Sequence, residues 1–191
     1  MYILLPRFRL RISVFCIPIC ALMIRLEGAF VFALMMLSAI LHELGHLIAV
    51  RRLGYGIRRI DLLPMGALIV LPEGINDRDE AVIALSGPMT SILISCLLFA
   101  LFALCGSVYA LFGATVNITL GLFNLLPVRR LDGGKALCCL RAHRGKPTEP
   151  ICSVASYLSR AVFFAFSLSC FLLSGNNLGV ALLALALLLQ L

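Results

Sequence analysis

Six apolar runs, separated by short polar or basic stretches, dominate the chain: residues 12–26, 28–50, 81–105, 107–127, 153–174 and 177–191. A bilayer core of about 30 Å takes about 20 apolar residues in helix, a length that the middle runs supply and the first and last barely reach. Backbone groups in hydrocarbon must pair within their own segment, and nothing here shows the alternation of a membrane barrel. Each run therefore predicts a transmembrane helix. Between the second and third runs, Ile57, Ile60, Leu62 and Leu63 precede Pro64 and Gly66, and residues 67–71 are apolar again. That stretch suits a short β-hairpin partly sunk in the membrane, and equally an interfacial connector that anchors two helices. Residues 141–150, with Gly145, Pro147 and Pro150, read as an exposed loop. The fold class is an all-α polytopic membrane protein of about six transmembrane helices, with a small membrane-associated β-hairpin after the second. No internal repeat appears, and residues 1–191 read as a single domain.

Composition agrees. Of 191 residues, 62% are hydrophobic and 13% charged, with a mean hydropathy of +1.08. This excludes a disordered chain, a disulfide-stapled secreted module and a water-soluble enzyme. The net charge of +7 comes from 16 Lys/Arg against 9 Asp/Glu. Because the basic residues fall between apolar runs and not in a stripe on a soluble fold, they predict membrane orientation and no nucleic-acid partner. Arg7, Arg9 and Arg11 precede the first run; Arg51, Arg52, Arg58, Arg59 and Arg78 follow the second; Arg129, Arg130, Lys135, Arg141, Arg144 and Lys146 follow the fourth. A six-helix path puts all three groups on one side, so both termini are expected in the cytoplasm. The first run also resembles a secretory signal, but no small-residue cleavage site follows it, and it is kept as a helix. Arg160, inside the fifth run, is expected to snorkel to the interface. The eight cysteines lack a pair of CxxC spacings and read mostly as packing residues, the adjacent Cys138 and Cys139 included.

The second run contains Leu41-His42-Glu43-Leu44-Gly45-His46, an H-E-x-x-H pattern in an otherwise apolar helix. Residues four apart share a helical face, so His42 and His46 can offer two imidazole nitrogens to one metal ion. Glu43, one step round the helix, can reach a water activated by that metal, take its proton and deliver it to a leaving amine. A membrane helix sharpens the signal, because an ionisable residue there costs ~2.5–3.5 kcal/mol on insertion scales. The competing reading is an interhelical hydrogen-bond cluster or proton relay.

A catalytic zinc takes three protein ligands and leaves one position open. His143, in a Pro/Gly/Arg loop, reads as solvated, and Asp61, Asp77 and Asp79 sit in the polar connection after the second run. Asp132 differs: it lies in Asn124-Leu125-Leu126-Pro127-Val128-Arg129-Arg130-Leu131-Asp132-Gly133-Gly134, where Pro127 ends or kinks a helix and the glycine pair permits a sharp turn. Orientation puts His42, His46 and Asp132 towards the same, cytoplasmic side of the bilayer, so they can share a site.

These motifs resemble the site-2 protease family of intramembrane zinc metalloproteases: H-E-x-x-H in one helix, Ser86-Gly87-Pro88 in the next, and Asn-x-x-Pro followed by Leu-Asp-Gly at the end of the one after. The stretch Gly54-Tyr55-Gly56 to Leu62-Leu63-Pro64-Met65-Gly66 is most similar to the stage IV sporulation branch. The resemblance covers roughly residues 28–140. It implies that His42, His46 and Asp132 bind zinc, that Glu43 is the general acid/base, and that Asn124 holds substrate or the oxyanion. It also implies a hairpin near the active site, a membrane-associated protein substrate, a possible membrane regulatory partner and a bacterial cell membrane. Two positions depart from the family pattern: Arg130 stands where a proline is usual, and Ser91 where an asparagine is expected. Because the chain ends in its last apolar run, no nucleotide-sensing domain is expected. The expected function is an intramembrane zinc metalloendopeptidase cutting membrane-associated or transmembrane regulatory proteins within or near the cytoplasmic side of the bilayer. The alternative is a metal or proton transporter using the same cluster. A transporter should spread polar residues along a whole pathway, whereas here they gather at one depth.

Overall fold

The computed structural model describes residues 2–5, 8–12, 16–63, 66–72, 74–129, 131–147, 153, 154, 157 and 161. Along the chain run β1 (Tyr2–Leu5), β2 (Phe8–Ile12), α1 (Cys16–Glu27), α2 (Ala29–Arg52), β3 (Arg59–Leu63), β4 (Gly66–Val70), α3 (Asp77–Cys105), α4 (Val108–Asn124) and α5 (Asp132–His143). The expected helices over 153–174 and 177–191 lie outside the described residues, apart from isolated positions in the first of them.

Helices α2 and α3, of 24 and 29 residues, are long and apolar enough to cross a bilayer. Their polarity is inverted relative to a soluble bundle. Leu37, Ile40, Leu44 and Ile48 point outward from one face of α2, and Met89, Leu93, Leu97 and Leu104 do so from α3, where Leu104 is 84% exposed. Ser38, His42, His46, Ser91, Ser95 and Asn117 are buried instead. Apolar residues facing out and polar ones facing in are the mark of a fold whose solvent is lipid. The chain is a membrane protein.

Local chemistry sets the ends of α3. Asn76 accepts a hydrogen bond from the Arg78 amide at 3.2 Å, and Asp77, Asp79 and Glu80 complement the helix dipole in the first turn. Gly106, at φ 64°, closes the helix in the left-handed region that favours glycine. Packing places α3 at the centre, in contact with α2, α4 and α5. Small residues bring α2 and α3 together: a Cβ on Gly45 would collide with the Thr90 side chain and the Ser86 carbonyl.

The expected hairpin over Ile57–Leu71 is present as β3 and β4, paired antiparallel with Leu63 opposite Gly66. It belongs to a larger sheet of order β1-β2-β3-β4, in which β2 and β3 run parallel. A parallel pair needs a long crossover, and α1 and α2 provide it. The first expected transmembrane helix is accordingly corrected. Helix α1 has 12 residues, about 18 Å at 1.5 Å per residue, too short to span the hydrocarbon core. Ile12, the first residue of the expected helix, lies instead at the end of β2, where Phe8-Arg9-Leu10-Arg11-Ile12 alternates apolar and basic side chains with the period of a strand.

Helix α5 was not foreseen. Its first turn carries Gly133 and Gly134, which are helical and serve close approach, where a sharp turn was expected. A Cβ on Gly133 would run into the Leu125 carbonyl, and one on Gly134 into the Val128 carbonyl. The turn after α4 therefore lies directly on the start of α5, and Ala136 packs with Ala81 and Ala84 of α3. Cys138 is disulfide-bonded, against its expected role as a packing residue. In Cys139 burial and the nearby Glu80 push the thiol up to about 11, as befits an inert packing residue. Gly134→Ala is expected to lower stability by about 1–3 kcal/mol, as overpacking does, and thermal unfolding in detergent would report it; an unchanged midpoint would count against the close docking.

Candidate metal centre

Helix α2 presents His42 and His46 on consecutive turns of its buried face, and α5 presents Asp132 from its first residue. The three converge. His42 Nε2 lies 3.1 Å and His46 Nε2 3.2 Å from Asp132 Oδ2, and the two Nε2 atoms are 3.3 Å apart. Their side chains are 5%, 9% and 13% exposed, so bulk water does not separate them.

The tautomer of His46 is set by the main chain. Its Nδ1 lies 2.8 Å from the Ile83 carbonyl oxygen, which can only accept, so Nδ1 carries a proton and Nε2 of the neutral ring presents its lone pair to the cluster. Gly87 leaves room for that ring, since a Cβ there would overlap His46 itself. Three electron-rich atoms at van der Waals separation need a proton or a cation among them. When that place is filled by a proton on the imidazoles, burial alone would raise the Asp132 carboxyl, but hydrogen bonds from His42 and His46, with the positive charges of a doubly protonated His46 and of Lys135, outweigh it and hold the group well below the ordinary carboxylate range. Lys135, one turn along α5, stands 3.8 Å from the other oxygen, Oδ1.

A cation fits the same place. Tetrahedral ligands at ~2.0–2.1 Å from an ion lie roughly 3.3–3.4 Å from one another, close to the three separations found here. The donor set, two imidazoles and a carboxylate within 4.8 Å of one another, is one a divalent metal can use.

The cluster opens on a cleft of about 490 Å³ lined by Glu43, His46 and Asp132, by Ile69 and Val70 of β4, and by Lys135. Glu43 thus shares the cleft with two of the three converging residues. Asn124 does not line it; its amide nitrogen donates to the Leu120 carbonyl one turn back in α4, at 3.0 Å. Among the acids passed over, Asp79 accepts a hydrogen bond from the Tyr55 hydroxyl at 2.8 Å, in the first turn of α3. His143 ends α5, about 16 Å of helix away from Asp132. Sequence reasoning missed two partners of the histidines, the Ile83 carbonyl and the Ser91 hydroxyl. Ser91 had been noticed only as a departure from a family pattern, although its place one turn beyond Gly87 on α3 was a usable signal.

Comparison with known proteins fits this arrangement. Residues 29–110 and 106–168 match Peptidase family M50, and the chain belongs to that family. A zinc metalloprotease of Methanocaldococcus jannaschii is 34% identical over 114 residues, 57% of this chain and 33% of that protein. Stage IV sporulation protein FB of Bacillus subtilis is 28% identical over 131 residues, 62% of this chain and 45% of its own length. The chain thus spans less than half of either relative. The solved site-2 protease from M. jannaschii shares the fold, with a TM-score of 0.63 at 23% identity over 97% of this chain and 90% of that one.

Gly87→Ala should push the His46 ring off its place. Binding of a divalent metal by the purified protein, followed by competition with a chromogenic chelator, is expected to weaken roughly tenfold or more; unaltered binding would show that the ring does not need that gap.

Proposed function

We propose that the protein is a zinc-dependent endopeptidase that cleaves membrane-associated or transmembrane regulatory proteins near the cytoplasmic side of the bilayer. The observation that carries this reading is the convergence of His42 Nε2, His46 Nε2 and Asp132 Oδ2 beside Glu43 in one cleft. His42, His46 and Asp132 would hold the ion, and the two relatives' names, a zinc metalloprotease and a sporulation protein, support the choice of metal and a regulatory setting. Bound zinc supplies Lewis acidity, which acidifies water and polarises a scissile carbonyl.

This chain's own residues do the rest. Glu43 takes the proton from the attacking water and returns it to the amine that leaves, so that the carboxylate is regenerated at the end of each turnover. Asp132, with Oδ1 facing Lys135, keeps its charge in a buried place. A substrate helix is a poor target because its peptide groups are already paired, so it must unwind before it is cut. Strand β4 lies at one edge of the sheet and lines the cleft through Ile69 and Val70. An unwound segment would pair with that edge by main-chain hydrogen bonds. Asn124 would steady the substrate or the oxyanion after turning away from Leu120. The basic stretches before α1, after α2 and after α4 support one shared, cytoplasmic side for them, which puts the cleft within reach of the inner surface of the membrane.

Co-expression with tagged single-pass or membrane-associated proteins tests the reading. Glu43→Gln is expected to lower cleavage by about 10²–10⁴-fold while leaving bound zinc at the unsubstituted level. Equal fragments from both proteins would contradict the role of Glu43, and a purified protein devoid of zinc would contradict the reading as a whole.

A further inference from the structure

The two histidines of the cluster are oriented by different means. The Ile83 carbonyl decides the tautomer of His46, because a carbonyl cannot donate. His42 has no such partner. Its Nδ1 lies 2.9 Å from the Ser91 hydroxyl oxygen, and a hydroxyl can either accept from Nδ1–H or donate to a bare Nδ1. The second arrangement would put the ring proton on Nε2, where it would block a metal. What decides between them is where the Ser91 proton goes.

Ser91 is fully buried and makes no other hydrogen bond among the described residues, not even to the carbonyl one turn back that Ser38, Thr90 and Thr115 each use in their own helices. A buried hydroxyl needs an acceptor for its proton. One is left over on the face of α4 that packs against α3. Gly121 of α4 faces Ser91, since a Cβ there would stand 3.3 Å from Ser91 Cβ, and Ser95, the next turn of α3, donates to the Ala114 carbonyl at 2.8 Å. Asn117 lies between Ala114 and Gly121 on that face of α4. It is 2% exposed, and its amide nitrogen is committed to Ser38 Oγ at 2.9 Å and the Gly113 carbonyl at 2.8 Å. These bonds rule out a flipped amide, because the Gly113 carbonyl demands a donor. Among the described residues Asn117 Oδ1 remains a buried acceptor without a partner, so Ser91 and Asn117 border the same interface but are not bonded with their side chains as they stand, and a side-chain rotation is needed to join them.

We infer that Ser91 and Asn117 are positioning residues for His42: the Ser91 hydroxyl accepts from His42 Nδ1–H and turns its own proton towards Asn117 Oδ1, so that Nε2 is left bare for the metal. Three helices then take part in one chain of donors, from His42 on α2 through Ser91 on α3 to Asn117 on α4, whose amide returns to α2 at Ser38. The inference deepens the proposed zinc site and rests on it. It also gives Ser91 a task at a position where the family resemblance led one to expect asparagine.

The chain has three histidines, so selective ¹⁵N-histidine labelling of the full protein in detergent resolves each ring. In zinc-loaded protein His42 and His46 are both expected to show a protonated Nδ1 and a metal-bound Nε2. Ser91→Ala, which removes one buried oxygen and leaves the helix intact, should lower zinc affinity about 10–100-fold and redistribute the His42 nitrogen signals, with those of His46 unchanged. Ser91→Thr, which keeps the hydroxyl, should restore the affinity and the pattern. A Ser91→Ala protein with unchanged zinc affinity and unchanged ¹⁵N signals would overturn the inference, because a merely packing role for Ser91 moves neither. An unsubstituted protein that binds no zinc would instead remove the site on which the inference rests.

Discussion

Polar atoms that face one another inside a lipid-solvated fold impose the strongest constraint on this structure. Two imidazole nitrogens and a carboxylate oxygen stand 3.1–3.3 Å apart with little access to water. Buried groups of that kind are tolerated only when every lone pair and proton has a counterpart. Much of the helix packing can be understood as the supply of those counterparts. The Ile83 carbonyl serves one ring, Ser91 serves the other, and Gly87 lets α3 come close enough for His46 to reach.

The third donor is delivered by a different device. Asp132 belongs to a short helix that follows a turn after α4, and its position depends on Gly133 and Gly134 lying against the carbonyls of Leu125 and Val128. A side chain at either place would lift the start of α5 and carry the carboxylate away from the histidines. Ala136 against Ala81 and Ala84 continues the same close fit along α3. Sheet and site are joined as well, because the edge strand β4 borders the cleft into which Glu43, His46 and Asp132 look.

Much of this was legible in the residues. Hydropathy outlined α2, α3 and α4 closely, because lipid demands long apolar helices whatever the tertiary packing. The H-E-x-x-H spacing puts two rings on one face by helical geometry alone, and Pro64 and Gly66 marked the hairpin between β3 and β4. What escaped depended on partners distant in the chain. Strand β2 alternates over only five residues ahead of an apolar run, and its partner β3 comes some fifty residues later, so hydropathy passed over it and began the first helix at its last residue, Ile12. The helical role of Gly133 and Gly134 is decided by the backbone they touch, which no local pattern reports. Ser91 was visible only as an unexpected residue; its partner on α2 is 49 positions away.

X-ray absorption at the zinc edge tests the central claim most directly. The account predicts a first shell of nitrogen and oxygen only, at about 2.0–2.2 Å, with imidazole scattering from two rings, and loss of the tightly bound ion in Asp132→Asn. Sulfur scattering at about 2.3 Å, or a first shell indifferent to the substitution at Asp132, would contradict it.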